Sequence, residues 1–156
     1  MDFPDFSDIP VDPIQFYAES LDFQLANESE IIAWITQTII EESKKLVMLN
    51  FIFCNDEYLH KINVEYLDHD TLTDIITFPY SDDEQFIEGD IYISVQRVRA
   101  NAQQFNVPFL QELHRVIIHG VLHLCGYGDK TETEKKVMRS KEDFYITKVS
   151  SSSSKQ

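Results

Sequence analysis

The segment from Pro108 to Cys125 is apolar on almost every side, and it constrains the fold more than any other part of the chain. Pro108 suits the first turn of a helix and Gly126 suits the position just after its end. The run PFLQELHRVIIHGVLHLC therefore predicts one helix over residues 108–125. A helix with so little polar surface belongs in the middle of a small domain rather than on its surface.

The rest of the chain predicts a mixture of strands and helices that becomes all-helical after residue 95. Apolar stretches rich in β-branched and aromatic residues predict strands at 13–20, 45–54, 71–80 and 89–95. Helical periodicity and helix-start signals predict further helices at 27–45, 55–67, 95–105 and 131–148. This order predicts an α+β fold, with a small mixed sheet of about four strands packed against about five helices.

Two helix starts carry the spacing of a capping box, Asn27 with Glu30 and Thr131 with Glu134. The chain of 156 residues suits one domain, which we place at residues 13–148. Residues 1–12 are expected to be a flexible N-terminal end. Residues 149–156 are expected to be a disordered, serine-rich tail.

The composition is that of an ordinary globular chain with 43% apolar and 26% charged residues. No window approaches 18 uninterrupted apolar residues, so we expect no membrane association through a span. The acidic N-terminus lacks the basic and apolar regions of a signal peptide. Cys54 and Cys125 lie in apolar surroundings and are expected to be reduced, which predicts a cytoplasmic protein.

Charge is distributed unevenly along the chain, whose formal net charge is −14. Residues 1–96 carry 21 acidic and 3 basic side chains, whereas residues 97–156 carry 6 acidic and 10 basic ones. The first part, at −18, repels polyanions, and the second, at +4, leaves room for one. An ordinary solvated surface explains the same distribution equally well.

His119 and His123 lie one turn apart on the central helix and point the same way. Neutral imidazoles at this spacing can both bind one metal ion, and an open catalytic zinc site needs three protein ligands plus water. Gly126 lets the chain turn back, which places Asp129 as a carboxylate third ligand. Cys125 is a rival donor, but its position on the helix points it elsewhere. The alternative is that both histidines are core residues with local hydrogen bonds.

At this point the sequence resembles the YbeY-type endoribonucleases. HGVLHLCGYGD from His119 to Asp129 is similar to that family's H-G-x-L-H-L-x-G-Y-D-H motif. TLTDIITFP at 71–79 resembles its P-T-D-V-L-S-F-P strand, and GDIYIS at 89–94 resembles its G-D-I strand. MRSKED at 138–143 matches its M-x-x-x-E. The matches follow the family's order and cover roughly residues 45–147.

The resemblance implies one zinc ion per chain, held by His119, His123 and Asp129, and hydrolysis of single-stranded RNA. The implied cellular role is maturation of ribosomal RNA, at the 3′ end of the small-subunit RNA, and ribosome quality control, with ribosomal proteins as further partners. Two departures stand out. Asp129 occupies the place of the family's third histidine, and Leu67 occupies the place of an arginine in N-x-x-Y-R-x-x-D. A guanidinium there would be suited to grip a phosphate.

Other functional interpretations remain open. A zinc peptidase would need a glutamate where Gly120 stands, so that hypothesis is weak. Asp74 is a candidate for a supporting or a purely structural carboxylate, and the general base is unassigned. The main alternative is a non-catalytic ribosome-assembly or RNA-binding factor with a structural zinc. RNA binding at the metal predicts that five cations cluster beside His123, namely Arg97, Arg99, Arg115, Lys135 and Lys136.

Overall fold

A computed structural model of the chain describes residues 12–67 and 73–153. The described residues form an α+β fold, as the sequence predicts. The elements in chain order are β1 (Ile14–Ala18), α1 (Glu28–Glu41), β2 (Lys45–Cys54), α2 (Asp56–Leu67), β3 (Ile75–Pro79), β4 (Phe86–Ser94), α3 (Val95–Phe105), α4 (Phe109–Leu124) and α5 (Glu132–Ser153).

The four strands form one mixed sheet in the order β1-β2-β4-β3. β1 and β4 both pair with β2 in parallel, whereas β3 pairs with β4 in antiparallel fashion. β3 therefore forms one edge of this sheet. Successive side chains of β3 point to opposite faces of the sheet. This alternation determines which side chains of β3 lie on the face of the site described below.

Helix α4 lies at the centre of the fold, as its apolar sequence predicts. It contacts α1, α3, α5, β3 and β4. Its residues Leu113, Ile117, Ile118, Val121 and Leu122 are fully buried in the main hydrophobic core. α1 and α5 complete this core, with Trp34 of α1 donating a hydrogen bond from Nε1 to the carbonyl oxygen of Tyr145, 2.8 Å away.

A smaller core covers the opposite face of the sheet under α2. Leu59 and Ile62 of α2 pack there with Cys54 and Ile76. Tyr92 also contacts this cluster, whereas its neighbours Ile91 and Ile93 belong to the main core. The alternation along β4 thus separates the two cores, and α2 and α4 lie on opposite faces of β3 and β4.

The two predicted capping boxes have different outcomes. The box at Thr131 is confirmed: Thr131 Oγ1 accepts from the Glu134 N–H at 3.0 Å, and Glu134 Oε1 accepts from the Thr131 N–H at 2.9 Å. The box at Asn27 is wrong. Asn27 has a φ of 58°, in the left-handed region, and its side chain makes no capping bond. A capping side chain reaches the first turn from extended backbone, which Asn27 lacks.

Two of the element boundaries that differ from prediction depend on distant partners. β4 begins at Phe86 rather than residue 89, since Phe86 pairs with Lys45 at the start of β2. α5 continues to Ser153, so residues 149–153, which we assigned to the disordered tail, are helical. Val149 is buried in the main core. The serine-rich composition of the residues after it gave no indication of this burial.

The predicted flexible end, residues 1–12, lies almost wholly outside the described residues. Its last residue, Asp12, accepts a hydrogen bond on Oδ1 from the Ile14 N–H at 3.0 Å. Among the residues that the structure covers, no helix has the length and apolar character needed to cross a membrane.

Gly89 allows β3 and β4 to lie at their observed separation. A Cβ at this position would lie 2.5 Å from the backbone carbonyl oxygen of Phe78. Gly89→Ala should therefore lower the free energy of unfolding by about 1–3 kcal/mol, because β3 has to shift. Urea unfolding would measure this. Glu88→Ala, one residue earlier on the same strand, is the control and should stay within about 0.5 kcal/mol of wild type. Equal effects of the two substitutions would contradict the proposed clash.

Candidate active site

A cleft of about 680 Å³ opens beside α4 where the end of α2, the edge strand β3 and α5 meet. Both histidines of the sequence motif line it, and so does Asp129. The other lining residues are Asn63, Leu67, Thr73, Asp74, Ile75, Ile76, Thr77, Glu112, Arg115, Val116, Lys130 and Glu142. The structure thus brings the three predicted metal ligands to one cavity.

His119 is fixed at both ring nitrogens by carboxylates. Its Nδ1 lies 2.8 Å from Glu142 Oε2 of α5, and its Nε2 lies 3.2 Å from Asp129 Oδ2. Glu142 also accepts a hydrogen bond from Arg115 Nη1 at 2.9 Å. Burial acts to lower the pKa of His119, but the hydrogen bond and charge of Glu142, with the charges of Asp129 and Asp74, raise it above its ordinary value.

His123 is more exposed, and its ring is oriented by the backbone. Its Nδ1 lies 3.1 Å from the carbonyl oxygen of Tyr127. A carbonyl only accepts hydrogen bonds, so Nδ1 carries the hydrogen and donates it. In the neutral ring the lone pair is then on Nε2, which is the form required of a metal ligand.

The turn after α4 directs Asp129 back to the helix. Gly126 has a φ of +110°, a conformation that side chains rarely adopt. The N–H of Tyr127 donates to the carbonyl oxygen of Leu122 at 3.1 Å, which closes the helix end. The chain therefore reverses within a few residues, and Asp129 reaches His119.

The three predicted ligands suit a zinc site in their chemistry. Two ligands of a tetrahedral zinc ion, each about 2.0–2.1 Å from it, lie about 3.3 Å apart. The 3.2 Å between His119 Nε2 and Asp129 Oδ2 fits that spacing. Each histidine also has its Nδ1 held by an oxygen, as metal-bound histidines usually do. Even so, across residues 12–67 and 73–153 no three His, Cys, Asp or Glu side chains converge tightly enough to hold an ion.

Cys125 does not compete for this role. It is buried in the main core, and burial raises the pKa of its thiol to about 12, with Glu42 contributing. A thiol must lose its proton to bind a metal, which this environment opposes.

Two further acidic side chains line the cleft and hold protons more readily than usual. Burial raises the pKa of Asp74, even though the charge of His119 opposes the shift. Burial also raises the pKa of Glu112, helped by the negative charge of Asp74. With Asp129 and Glu142, the cleft therefore contains four carboxyl groups.

The predicted cluster of five cations beside His123 does not form within the described residues. Arg115 is the one of the five that lines the cleft, and Glu142 and Asp143 hold its guanidinium at 2.9 and 2.8 Å. Arg97 pairs with Asp56 and Arg99 lies over the ring of Phe109. Lys135 is an exposed residue beside Glu132. Lys130, outside the set, does line the cleft, and Leu67 occupies its wall.

The sequence motifs gave Glu142 no role, and they predicted Arg115 as an RNA-binding cation rather than as the partner of Glu142. Glu142 falls in the M-x-x-x-E match, and its position on an otherwise apolar face of α5, between Met138 and Tyr145, was the available signal. Its side chain is only 7% exposed. That burial, together with its two partners on α4, is what identifies it as part of the site.

Comparisons with known proteins find relatives that match most of the chain. A family model described as Endoribonuclease YbeY matches residues 14–150. A relative with that name from Amoebophilus asiaticus is 51% identical over 138 residues, covering 88% of this chain and 94% of the relative. One from Flavobacterium johnsoniae is 55% identical over 125 residues, covering 80% and 89%. The solution structure of TM1509 from Thermotoga maritima has a TM-score of 0.63 at 27% identity, covering 87% of this chain and 88% of that one.

The fold and the cleft define an α+β protein in which a buried two-histidine helix faces a wall of carboxylates. With the family model matching residues 14–150 and relatives above 50% identity, the chain belongs to the Endoribonuclease YbeY family. The resemblance drawn from the sequence motifs is therefore confirmed.

The buried ion pair between Arg115 and Glu142 yields a stability prediction. Glu142→Ala leaves Arg115, whose side chain is 15% exposed, without its buried partner. It should lower the free energy of unfolding by about 3 kcal/mol in a urea titration. Asp143→Ala is the matched control, since Asp143 contacts the same guanidinium but is 58% exposed, and it should cost less than about 1 kcal/mol. If Asp143→Ala lowered the free energy of unfolding as much as Glu142→Ala, the burial of Glu142 would not explain the effect.

Proposed function

We propose that this protein is a zinc-dependent endoribonuclease that cleaves single-stranded RNA in the cleft beside α4. The observation that carries the proposal is the meeting of His119, His123 and Asp129, the residues at the family's ligand positions, in one cavity. Relatives named Endoribonuclease YbeY over most of the chain support the reaction class.

In this proposal His119, His123 and Asp129 would hold one zinc ion. A zinc ion bound there would supply Lewis acidity for phosphodiester hydrolysis. Glu142 and the Tyr127 carbonyl keep the two imidazoles oriented toward the cleft. Asp129 in place of a third histidine makes the ligand set more negative than the family's usual one.

The other cleft residues supply proton transfer and substrate contact. Asp74 and Glu112 have raised pKa values and can exchange a proton with the attacking water or the departing ribose oxygen. Lys130 lines the cleft and offers an ammonium group to a phosphate of the RNA. Arg115 already has its guanidinium engaged by two carboxylates, so it serves mainly to hold Glu142.

We further propose that the substrate in the cell is ribosomal RNA, with maturation of the small-subunit 3′ end and ribosome quality control as the roles. Support for this comes from the family resemblance. The charge distribution fits it, because the basic side chains are concentrated after residue 96, in the part of the chain that provides α4 and α5.

A non-catalytic RNA-binding or ribosome-assembly factor with a structural zinc is the second candidate. One observation favours it: Leu67 lines the cleft where the family has an arginine, and the guanidinium of Arg115 is already paired. The two candidates share the metal and differ in whether RNA is cut.

The metal site predicts a simple stoichiometry. The chain purified without a histidine tag should contain about one zinc per molecule by elemental analysis, and Asp129→Ala should lose most of it. Glu132→Ala, which removes an exposed carboxylate three residues away, is the control and should retain the metal. Removal of zinc with a chelator should abolish cleavage of a single-stranded RNA.

The outcomes separate the candidates. Wild type that stays free of zinc after zinc is supplied would overturn the metal site. Wild type that binds zinc but leaves RNA intact would overturn the nuclease and support the non-catalytic factor.

Leu67 provides a gain-of-function prediction. Its side chain is 37% exposed and lines the cleft, so Leu67→Arg places a guanidinium where a phosphate would bind. A charge-assisted contact of about 1.5–3 kcal/mol corresponds to roughly a tenfold or greater gain in RNA affinity and cleavage. Val64→Arg adds the same charge on α2 at a residue 43% exposed and outside the cleft lining. Equal gains for both variants would show that net charge alone is responsible.

A further inference from the structure

A buried carboxylate contacts the turn that follows α4, although it lies 85 residues before its partner Tyr127 in the chain. Glu42 directly follows α1, and its side chain is 8% exposed. It accepts a hydrogen bond from the Tyr127 hydroxyl at 2.6 Å and another from Lys141 Nζ at 3.1 Å. The Tyr145 hydroxyl donates a third. Three donors from two other parts of the chain thus meet on one carboxylate.

The charge on Glu42 makes these contacts strong. Burial acts to raise the pKa of this carboxyl, but the hydrogen bonds from Tyr127, Tyr145 and Lys141 outweigh it and bring the pKa below its ordinary value. The group is therefore ionised at neutral pH. Hydrogen bonds to a charged acceptor are roughly twice as strong as those between neutral groups.

Tyr127 connects this carboxylate to the candidate metal ligands. Its hydroxyl is held by Glu42, while its backbone carbonyl oxygen lies 3.1 Å from His123 Nδ1. It stands in the turn between the two motif ligands His123 and Asp129. Tyr127 therefore links the Glu42 carboxylate to the carbonyl oxygen that orients the imidazole of His123.

We infer that Glu42 is a positioning residue for the candidate metal site. By holding the Tyr127 hydroxyl, it fixes the carbonyl that orients His123 and the path of the chain to Asp129. This inference rests on the proposed function for the identity of the ligands. It deepens that proposal by assigning a role to a residue that lies outside the motifs and the cleft lining.

A purely structural role for Glu42 makes a different prediction. In that case the carboxylate only connects α1 to α5, through Tyr145 and Lys141. The hydrogen bond from the Tyr127 hydroxyl then contributes to stability in the same way as the one from Tyr145. Tyr127→Phe and Tyr145→Phe each remove a single hydroxyl from the same carboxylate. A structural role predicts equal consequences for the two variants, whereas a positioning role makes Tyr127→Phe selective.

The experiment compares zinc affinity and local protection in four variants. Competition with a chromophoric chelator should show zinc bound about tenfold more weakly by Glu42→Gln and Tyr127→Phe, the scale found for partners that orient metal ligands. Tyr145→Phe and Glu41→Gln should stay within about twofold of wild type. Glu41 is the matched control, because it pairs with Lys148 on the surface one residue away. Amide hydrogen exchange at residues 126–129 should accelerate in Glu42→Gln and Tyr127→Phe but not in the other two variants.

Each result counts for or against the inference. Equal weakening by Tyr127→Phe and Tyr145→Phe, or unchanged zinc affinity and exchange in Tyr127→Phe, overturns it. If Glu42→Gln does not fold, Tyr127→Phe still decides, since it removes only one oxygen. If wild type binds no zinc, the proposed metal site fails, and the exchange rates of residues 126–129 alone then support or overturn the control of this turn by Glu42.

Discussion

The burial of α4 on almost every side is the constraint on which the rest of the structure depends. Neighbouring elements cover it closely: a Cβ at Gly120 would lie 2.9 Å from Ile75 and 3.0 Å from Ile91. A polar side chain on a buried face of such a helix needs a protein partner. Arg115 and His119 find theirs in Glu142 of α5. The packing of α4 and α5 therefore brings the charged groups of the site together.

Burying these charged groups costs free energy, which indicates that they serve function rather than stability. Taking charged groups out of water is unfavourable unless the partners are well matched, and apolar residues of similar size often fold as well. Here Arg115, Glu142 and His119 form a continuous chain of contacts on the wall of a cleft. Asp74 and Glu112 add raised pKa values beside it. Perturbed ionisable groups of this kind concentrate at functional sites.

Local patterns predicted the fold class and the residues of the motif, whereas contacts between distant segments could not be predicted. The apolar run of α4, the capping box at Thr131 and the turn at Gly126 are each encoded within a few residues, and all three were predicted. The left-handed Asn27, the start of β4 at Phe86 and the burial of Val149 depend on tertiary contacts. Glu142 and Glu42 lie 23 and 85 residues from their partners His119 and Tyr127, beyond the reach of spacing arguments.

The excess of carboxyl groups in the cleft bears on how RNA would be bound. Asp74, Glu112, Asp129 and Glu142 line it together with Arg115 and Lys130, and two carboxylates neutralise Arg115. A phosphodiester entering such a cavity meets four carboxyl groups and only two basic side chains, and Leu67 adds no positive charge. Under the proposed function, the cation held by His119, His123 and Asp129 therefore has two consequences. It would supply Lewis acidity for hydrolysis, and it would offset the repulsion between the carboxylates and the RNA phosphates. RNA binding and metal binding should then be coupled more tightly in the wild-type chain than in Leu67→Arg.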